Sequence, residues 1–180
     1  MGKILLGVFL FALFAAPGFA QDEAAAARAA AGCGPSDVNF NVKVNKKQHP
    51  APAPESGKAL VYVFEAEKSN PNEFKIGAVT IRVGLDGSWV GANHGSSYFF
   101  FPVESGEHSV CAAWQSRLSI FSKLGAAASL TADPGQSYYF RVHVEEREDR
   151  QKSVRLEPID PAEGQLLIGS CGLSTSHPKK

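Results

Sequence analysis

The stretch SYYFRVHVE (Ser137–Glu145) decides how the sequence folds, because apolar and more polar side chains alternate along it. Successive residues of a β-strand point to opposite faces, so residues two apart share a face. One face of this stretch comprises Tyr138, Phe140, Val142 and Val144. The other comprises Tyr139, Arg141, His143 and Glu145. The pattern predicts a long strand with one side facing a core.

Turn residues bound this strand and others along the chain. Asp133-Pro134-Gly135-Gln136 is typical of a type II turn, in which proline fixes φ and glycine takes the left-handed position. Asp86-Gly87 is a two-residue hairpin signal, and Glu104-Ser105-Gly106 is a second glycine-containing bend. Residues 146–150 form a charged hairpin tip after the long strand. Such closely spaced turns predict one antiparallel β-sandwich of about seven to nine strands.

Three further segments complete the predicted fold. KALVYVF (58–64) is apolar on both faces, which is typical of a central strand. VNFNVKV (38–44) alternates and predicts a half-buried strand, and the proline-rich residues 49–54 after it predict an extended strap that cannot pair in a sheet. A short C-terminal helix is expected after Asp160, which can cap it, with Pro161 at its first position and Leu166 to Ile168 docking on the sheet.

The N-terminus has the order of a secretory signal peptide. Lys3 is followed by an apolar run, Ile4–Ala16, and by small residues ending at Ala20. This run of about 13 residues is shorter than the roughly 20 that a membrane span needs. We expect cleavage after Ala20 and a periplasmic or extracellular protein without a membrane span.

The expected organisation follows from these segments. Residues 1–20 form the signal peptide, 21–36 a mobile N-terminal arm, and 37–57 the first strand with the strap. Residues 58–172 form the sandwich and 173–180 a flexible tail. Without Lys3 the chain carries 17 basic and 18 acidic residues, from 18 of each in the full sequence. This balance argues against nucleic-acid binding, which needs concentrated positive charge.

Three cysteines remain after such processing: Cys33, Cys111 and Cys171. In the strand predicted over 107–115, Trp114 and Cys111 fall on opposite faces, so Cys111 points outward if Trp114 points inward. We hypothesise a Cys33–Cys111 disulfide that pins the arm over the sheet, with a stabilisation of roughly 4 kcal/mol. The alternatives are a disulfide to Cys171 and cysteines that stay free.

Several of these phrases together resemble a known family. KALVYVF (58–64), LDG with WVG (85–91), SYF (97–99), GEH (106–108) and PGQSYYFRV (134–142) occur in an order that resembles the bacterial secreted domain-of-unknown-function family 2846. The resemblance runs from about Lys58 to Ile168. It implies a β-sandwich in the cell envelope, and it supplies no activity and no catalytic residues.

Residues capable of chemistry are not arranged in a recognised catalytic or metal-binding pattern. Zinc sites commonly use closely spaced ligand pairs, and the chain has no Cys-x2-Cys, His-x-His or His-x3-His. We therefore expect no catalytic residues, no metal site and no cofactor. An enzyme with a site near His108 or His143 is an alternative, as is a small-ligand carrier with an interior cavity.

The aromatic run Tyr98-Phe99-Phe100-Phe101 cannot place all its side chains on one face of a sheet. Either the N-terminal strand and strap cover its outer pair, or the run forms an apolar surface for a partner. We favour the covered arrangement and keep Tyr98, Phe99, Phe100 and Phe101 as a candidate partner surface. The sequence thus predicts an exported, non-catalytic module that binds or supports an envelope or secreted protein or glycan.

Overall fold

A computed structural model describes residues 28–30, 32–66, 79–146 and 151–179. The predicted leader (1–20) and segments 67–78 and 147–150 lie outside the described residues. Within the described part, two β-sheets pack face to face. This confirms the β-sandwich that the alternation predicted.

The described residues form ten strands, two helices that are numbered here in chain order, and a short helical segment in the arm. The strands are β1 (Phe40–Asn45), β2 (Lys58–Glu65), β3 (Thr80–Leu85), β4 (Ser88–His94), β5 (Ser97–Glu104), β6 (Gly106–Trp114), β7 (Gly125–Ala132), β8 (Ser137–Glu146), β9 (Lys152–Pro158) and β10 (Gly172–Pro178). The helices are α1 (Ser119–Ser122) and α2 (Pro161–Ser170). Residues 28–30 are also helical.

The larger sheet has the order β1-β10-β5-β2-β8-β9 and the smaller one β4-β3-β6-β7. Most neighbours are antiparallel, whereas β10 runs parallel to β5 and β2 runs parallel to β8. β2 therefore lies at the centre of its sheet, between β5 and β8. This is the position expected for a strand that is apolar on both faces.

The hairpin turns have the geometry that their residues predict. Asp86 and Gly87 both have positive φ, 49° and 81°, as a two-residue turn with the twist of a hairpin requires. Gly135 has a φ of 78° in the turn before β8, where the N–H of Gln136 donates to the carbonyl of Asp133. These turns fix the register of the strands that they join.

The main core lies between the two sheets. The large sheet contributes the apolar face of β8 together with alternate residues of β2 and β5, and the small sheet contributes alternate residues of β3, β6 and β7. Its largest members include Phe99, Phe101, Trp114 and Phe140. Each fully buried side chain of this kind contributes about 1.5–3 kcal/mol to folding.

A second apolar cluster covers the opposite, outer face of the large sheet. Its members are Leu60, Tyr62, Phe64, Ala66, Tyr98, Tyr139, Ile168 and Cys171. Helix α2 packs here through Ile168, while Leu166 points to solvent with 76% of its surface exposed. Its N-cap is as predicted, because Asp160 Oδ1 accepts a hydrogen bond from the N–H of Ala162 at 2.8 Å.

Two expectations for the chain ends are corrected. Residues 173–178 are not a flexible tail, because they belong to β10, which lies between β1 and β5. The described part of the arm is not free, because Ala30, Cys33 and Pro35 contact the small sheet. With β10, the described strands number ten rather than seven to nine.

Candidate functional site

The disulfide joins Cys33 of the arm to Cys111 in the middle of β6. The two Cα atoms lie 5.6 Å apart, and 78 positions separate the residues in sequence. Cys111 and Ala113 face away from the main core, and Cys33 packs on them with Ala30 and Trp89. The hypothesis drawn from strand alternation is confirmed: the arm crosses the outer face of the small sheet and is bonded to it there.

Arg82 and Trp89 hold the next part of the arm. The Arg82 guanidinium donates from Nη1 to the carbonyls of Val38, at 2.7 Å, and Ser36, at 3.3 Å. It also lies 4.4 Å from the centre of the Trp89 ring, a cation–π arrangement. The Trp89 indole N–H donates to the carbonyl of Pro35 at 2.8 Å. The buried Arg82 cation is thus stabilised by carbonyl groups of the arm.

The aromatic run is divided between the two apolar clusters. Phe99 and Phe101 are each 8% exposed and belong to the main core, whereas Tyr98 is fully buried in the outer cluster and Phe100 packs against that cluster. The candidate partner surface at residues 98–101 is therefore wrong, because these four side chains do not form an exposed aromatic patch. The physical reason is that both faces of β5 are covered. The strap lies on the outer face as expected, together with the end of α2, whereas the N-terminal strand β1 pairs at the edge of the sheet instead.

The proline-rich strap provides part of that cover. The Tyr62 hydroxyl donates to the carbonyl of Pro52 at 3.1 Å, and the Tyr98 hydroxyl donates to that of Pro50 at 3.0 Å. His49 Nδ1 lies 2.8 Å from the carbonyl oxygen of Ile168 and 3.0 Å from that of Cys171. The strap is thus bonded to the large sheet and to the end of α2.

His108 is held between two hydrogen-bond acceptors at the end of the small sheet. Its Nδ1 lies 2.7 Å from the Asp86 carboxylate, and its Nε2 lies 2.8 Å from the carbonyl oxygen of Glu104. A neutral imidazole can donate from only one nitrogen, so both bonds require the protonated ring. The bond to Asp86, followed by that to Glu104, raises the pKa of His108 above its usual value.

Asp86 forms the other half of this pair. The backbone N–H of Ser109 donates to its Oδ1 at 2.9 Å, and this bond, followed by the bond with His108, holds the pKa of the carboxyl below its usual value. Both pKa shifts favour the charged form of the group concerned. The arrangement links the β3–β4 turn to β6, and both ring nitrogens of His108 are already occupied.

His143 lies on the outer face of the large sheet and is 6% exposed. Its Nε2 is 2.7 Å from Glu145 Oε1, and Glu145 Oε2 accepts from Arg155 Nε at 3.0 Å. The Nδ1 atom is buried and has no hydrogen-bond partner among the described residues. This histidine and His108 belong to different sheets, so the structure does not unite them in one site.

The described residues contain no group of three or more His, Cys, Asp or Glu side chains placed to hold a metal ion. Cys171 is a free thiol buried in the outer cluster, and burial raises its pKa. Among the same residues, no helix is long and apolar enough to cross a membrane.

Besides the cysteines, one residue in the sequence could have indicated where the arm crosses the small sheet. Gly84 lies within β3, and a glycine inside a strand often marks a place where another backbone approaches closely. A Cβ at this position would overlap the carbonyl oxygen of Cys33 and lie 2.9 Å from Cys111 Sγ. The roles of Arg82 and Trp89 had no comparable signal, because they depend on where the arm crosses.

No protein-family model matches the chain, and no curated protein matches it. The resemblance to the domain-of-unknown-function family 2846 stays a prediction from its sequence phrases.

Proposed function

We propose that this chain is an exported, non-catalytic β-sandwich module that binds or supports another component of the cell envelope or a secreted component. The observation that carries the proposal is the buried Cys33–Cys111 disulfide, which fixes the arm to the sandwich. Disulfides form and persist in exported compartments and are rare in the cytosol. Residues 1–20 have the pattern of a signal peptide, which would direct the chain to such a compartment.

The contacts of the two candidate histidines support a non-catalytic module. A general base needs a ring nitrogen that can reach a substrate proton. Both nitrogens of His108 are bonded to Asp86 and Glu104, and the remaining nitrogen of His143 is shielded from solvent. The hydrogen bonds of His108 connect β6 to the β3–β4 turn and to the end of β5, and that of His143 holds Glu145 of its own strand, so both histidines have structural contacts.

Export is tested by cell fractionation of the full chain carrying a C-terminal tag. The expected result is a protein in the periplasmic or extracellular fraction whose N-terminus is Gln21, because cleavage is predicted after Ala20. A variant with the apolar run interrupted, Leu10→Arg, serves as the control and should stay in the cytoplasm. Recovery of the unaltered chain in the cytoplasm with Met1 intact would contradict export.

Binding is tested by affinity capture of the tagged protein from its own envelope, without reductant. We expect one component to be enriched over an unrelated tagged β-sandwich exported by the same route, and to bind the purified protein directly. If nothing is enriched and native mass spectrometry instead finds a retained small molecule, the carrier alternative replaces the proposal.

A further inference from the structure

The connection between β6 and β7, residues 115–124, exposes two large aliphatic side chains. Leu118 is 59% exposed and Ile120 is 68% exposed. Within the described residues, the other exposed large hydrophobic side chains are Val90, at 37%, and Leu166, at 76%, and neither lies within three residues of another exposed one. Single exposed leucines need no explanation, but a close pair marks a contact surface.

This connection is built so that these two side chains face outward. Phe121 turns inward and stacks on Trp114, with the ring centres 4.8 Å apart and the planes 14° from parallel. The Leu118 carbonyl accepts from the N–H groups of Phe121, at 3.0 Å, and Ser122, at 3.1 Å. These bonds close the turn of α1 while Phe121 anchors it. The exposure of Leu118 and Ile120 is therefore a property of an ordered turn.

The charged side chains of this connection have one sign. Arg117 and Lys123 flank it and are both exposed. The sequence has no acidic residue between Glu107 and Asp133, so this connection carries two positive charges in a chain whose formal net charge is zero. Lys152 lies 5.6 Å from the centre of the Phe121 ring, with Glu146 as its cross-strand neighbour.

Aliphatic side chains flanked by cations are complementary to an anionic lipid surface. The aliphatic groups enter the boundary between headgroups and acyl chains, and the cations stay among the phosphates. A protein partner would need a larger area, since stable protein interfaces bury about 800 Å² on each side. Two side chains on a short connection provide far less than that, whereas a bilayer can close around them without a matching pocket.

We propose that the tip formed by Arg117–Lys123 docks the protein peripherally on an anionic phospholipid bilayer. This inference goes beyond the proposed function, because it concerns the lipid surface and not the captured component. The contact is shallow and reversible, as expected for an attachment with so few residues.

The test uses the protein purified after export, with its disulfide intact, and co-sedimentation with two kinds of vesicle. We expect it to bind vesicles that contain phosphatidylglycerol and not vesicles of phosphatidylcholine alone, with binding that weakens as salt is added. Arg117→Gln with Lys123→Gln should weaken binding by about 25-fold, because each cation contributes a factor of about five. Leu118→Ser with Ile120→Ser should weaken it by a similar factor.

Leu166→Ser is the matched control, because Leu166 is at least as exposed as Leu118 and Ile120 but lies on α2, outside this connection. It should bind the vesicles as the unaltered protein does, and all variants should unfold at the same urea concentration. The proposal is overturned if the unaltered protein ignores anionic vesicles, or if Leu118→Ser with Ile120→Ser binds them undiminished. Neither of these results would change the capture of an envelope component by the tagged protein. The lipid-docking proposal and the proposed function can therefore be contradicted independently.

Discussion

His108 shows how a single residue makes the stability of this fold depend on pH. Its protonated ring donates to Asp86 and to the carbonyl of Glu104, and these bonds raise its pKa in the folded state. A raised folded-state pKa gives a stabilisation that is fully present below the unfolded value of about 6.5. It is lost as the pH rises through the folded-state value.

We therefore expect His108→Gln to destabilise the protein more at about pH 5.5 than at about pH 8.5. The measurement is the urea midpoint of both proteins at the two pH values. His94→Gln is the matched control, because the His94 ring contacts the hydroxyl of Thr80, which can either donate or accept. An equal loss at both pH values for His108→Gln would contradict the assignment of a protonated ring.

Adding one methyl group at Gly84 tests how closely the arm crosses β3. Gly84→Ala places a Cβ against the Cys33 carbonyl and Cys111 Sγ, so we expect a destabilisation of about 1–3 kcal/mol from the overlap. Gly169→Ala is the control: its Cβ meets nothing within 4 Å, and alanine favours a helix, so it should be neutral or slightly stabilising. Equal stability of the two variants in urea would contradict a close crossing at Gly84.

At the scale of elements, alternation predicts strands only where one face is apolar. It correctly predicted which side chains of β8 face the main core and that Cys111 of β6 faces away from it, because one face of each of these two strands packs in the main core. It failed for β10, whose residues GLSTSHP are mostly small or polar and do not alternate. That strand forms because β1 and β5 flank it and because Ser174 and Ser176 hydrogen-bond to the backbone of Ala92. Such partners come from distant parts of the chain and leave no local pattern.

The strap gives a prediction at the same scale. Tyr62→Phe and Tyr98→Phe each remove one hydrogen bond to a proline carbonyl while keeping the ring, so each should cost about 1 kcal/mol. Burial raises the pKa of both tyrosines to about 12, so their hydroxyls are protonated donors at ordinary pH. The urea midpoints of the variants measure the cost.

Tyr138→Phe provides the comparison for the strap variants. The Tyr138 hydroxyl accepts an exposed bond from the N–H of Asp133, which water can replace, so this change should cost much less. If all three tyrosine variants had the same stability, the strap would contribute nothing through its carbonyls.

For the whole molecule, the N-terminal segment wraps both sheets. Its arm is bonded to the outer face of the small sheet, β1 pairs at the edge of the large sheet, and the strap covers the outer face of the large sheet. The sequence predicted the disulfide and the cover, because an outward cysteine and an unpaired aromatic face both require a crossing segment. It did not predict Arg82 as an anchor, because the path of the arm determines that contact.

Removal of the disulfide should destabilise the whole fold. In the chain-entropy model, a link across 78 positions contributes about 4–5 kcal/mol, so Cys33→Ser with Cys111→Ser should lower the free energy of unfolding by about that amount. Cys171→Ala keeps the link and serves as the control. Reductant should destabilise the unaltered protein and Cys171→Ala, but not the double variant. A reductant effect that persisted in the double variant would contradict this pairing.

The most direct single measurement is peptide mapping of the protein isolated from its native host, with free thiols alkylated before unfolding and no reductant present. We expect a linked peptide pair containing Cys33 and Cys111, an N-terminal peptide that begins at Gln21, and a Cys171 thiol that reacts only after unfolding. A peptide that links Cys171 to another cysteine, or three free cysteines in a chain that still begins at Met1, would contradict a disulfide-clamped, exported sandwich.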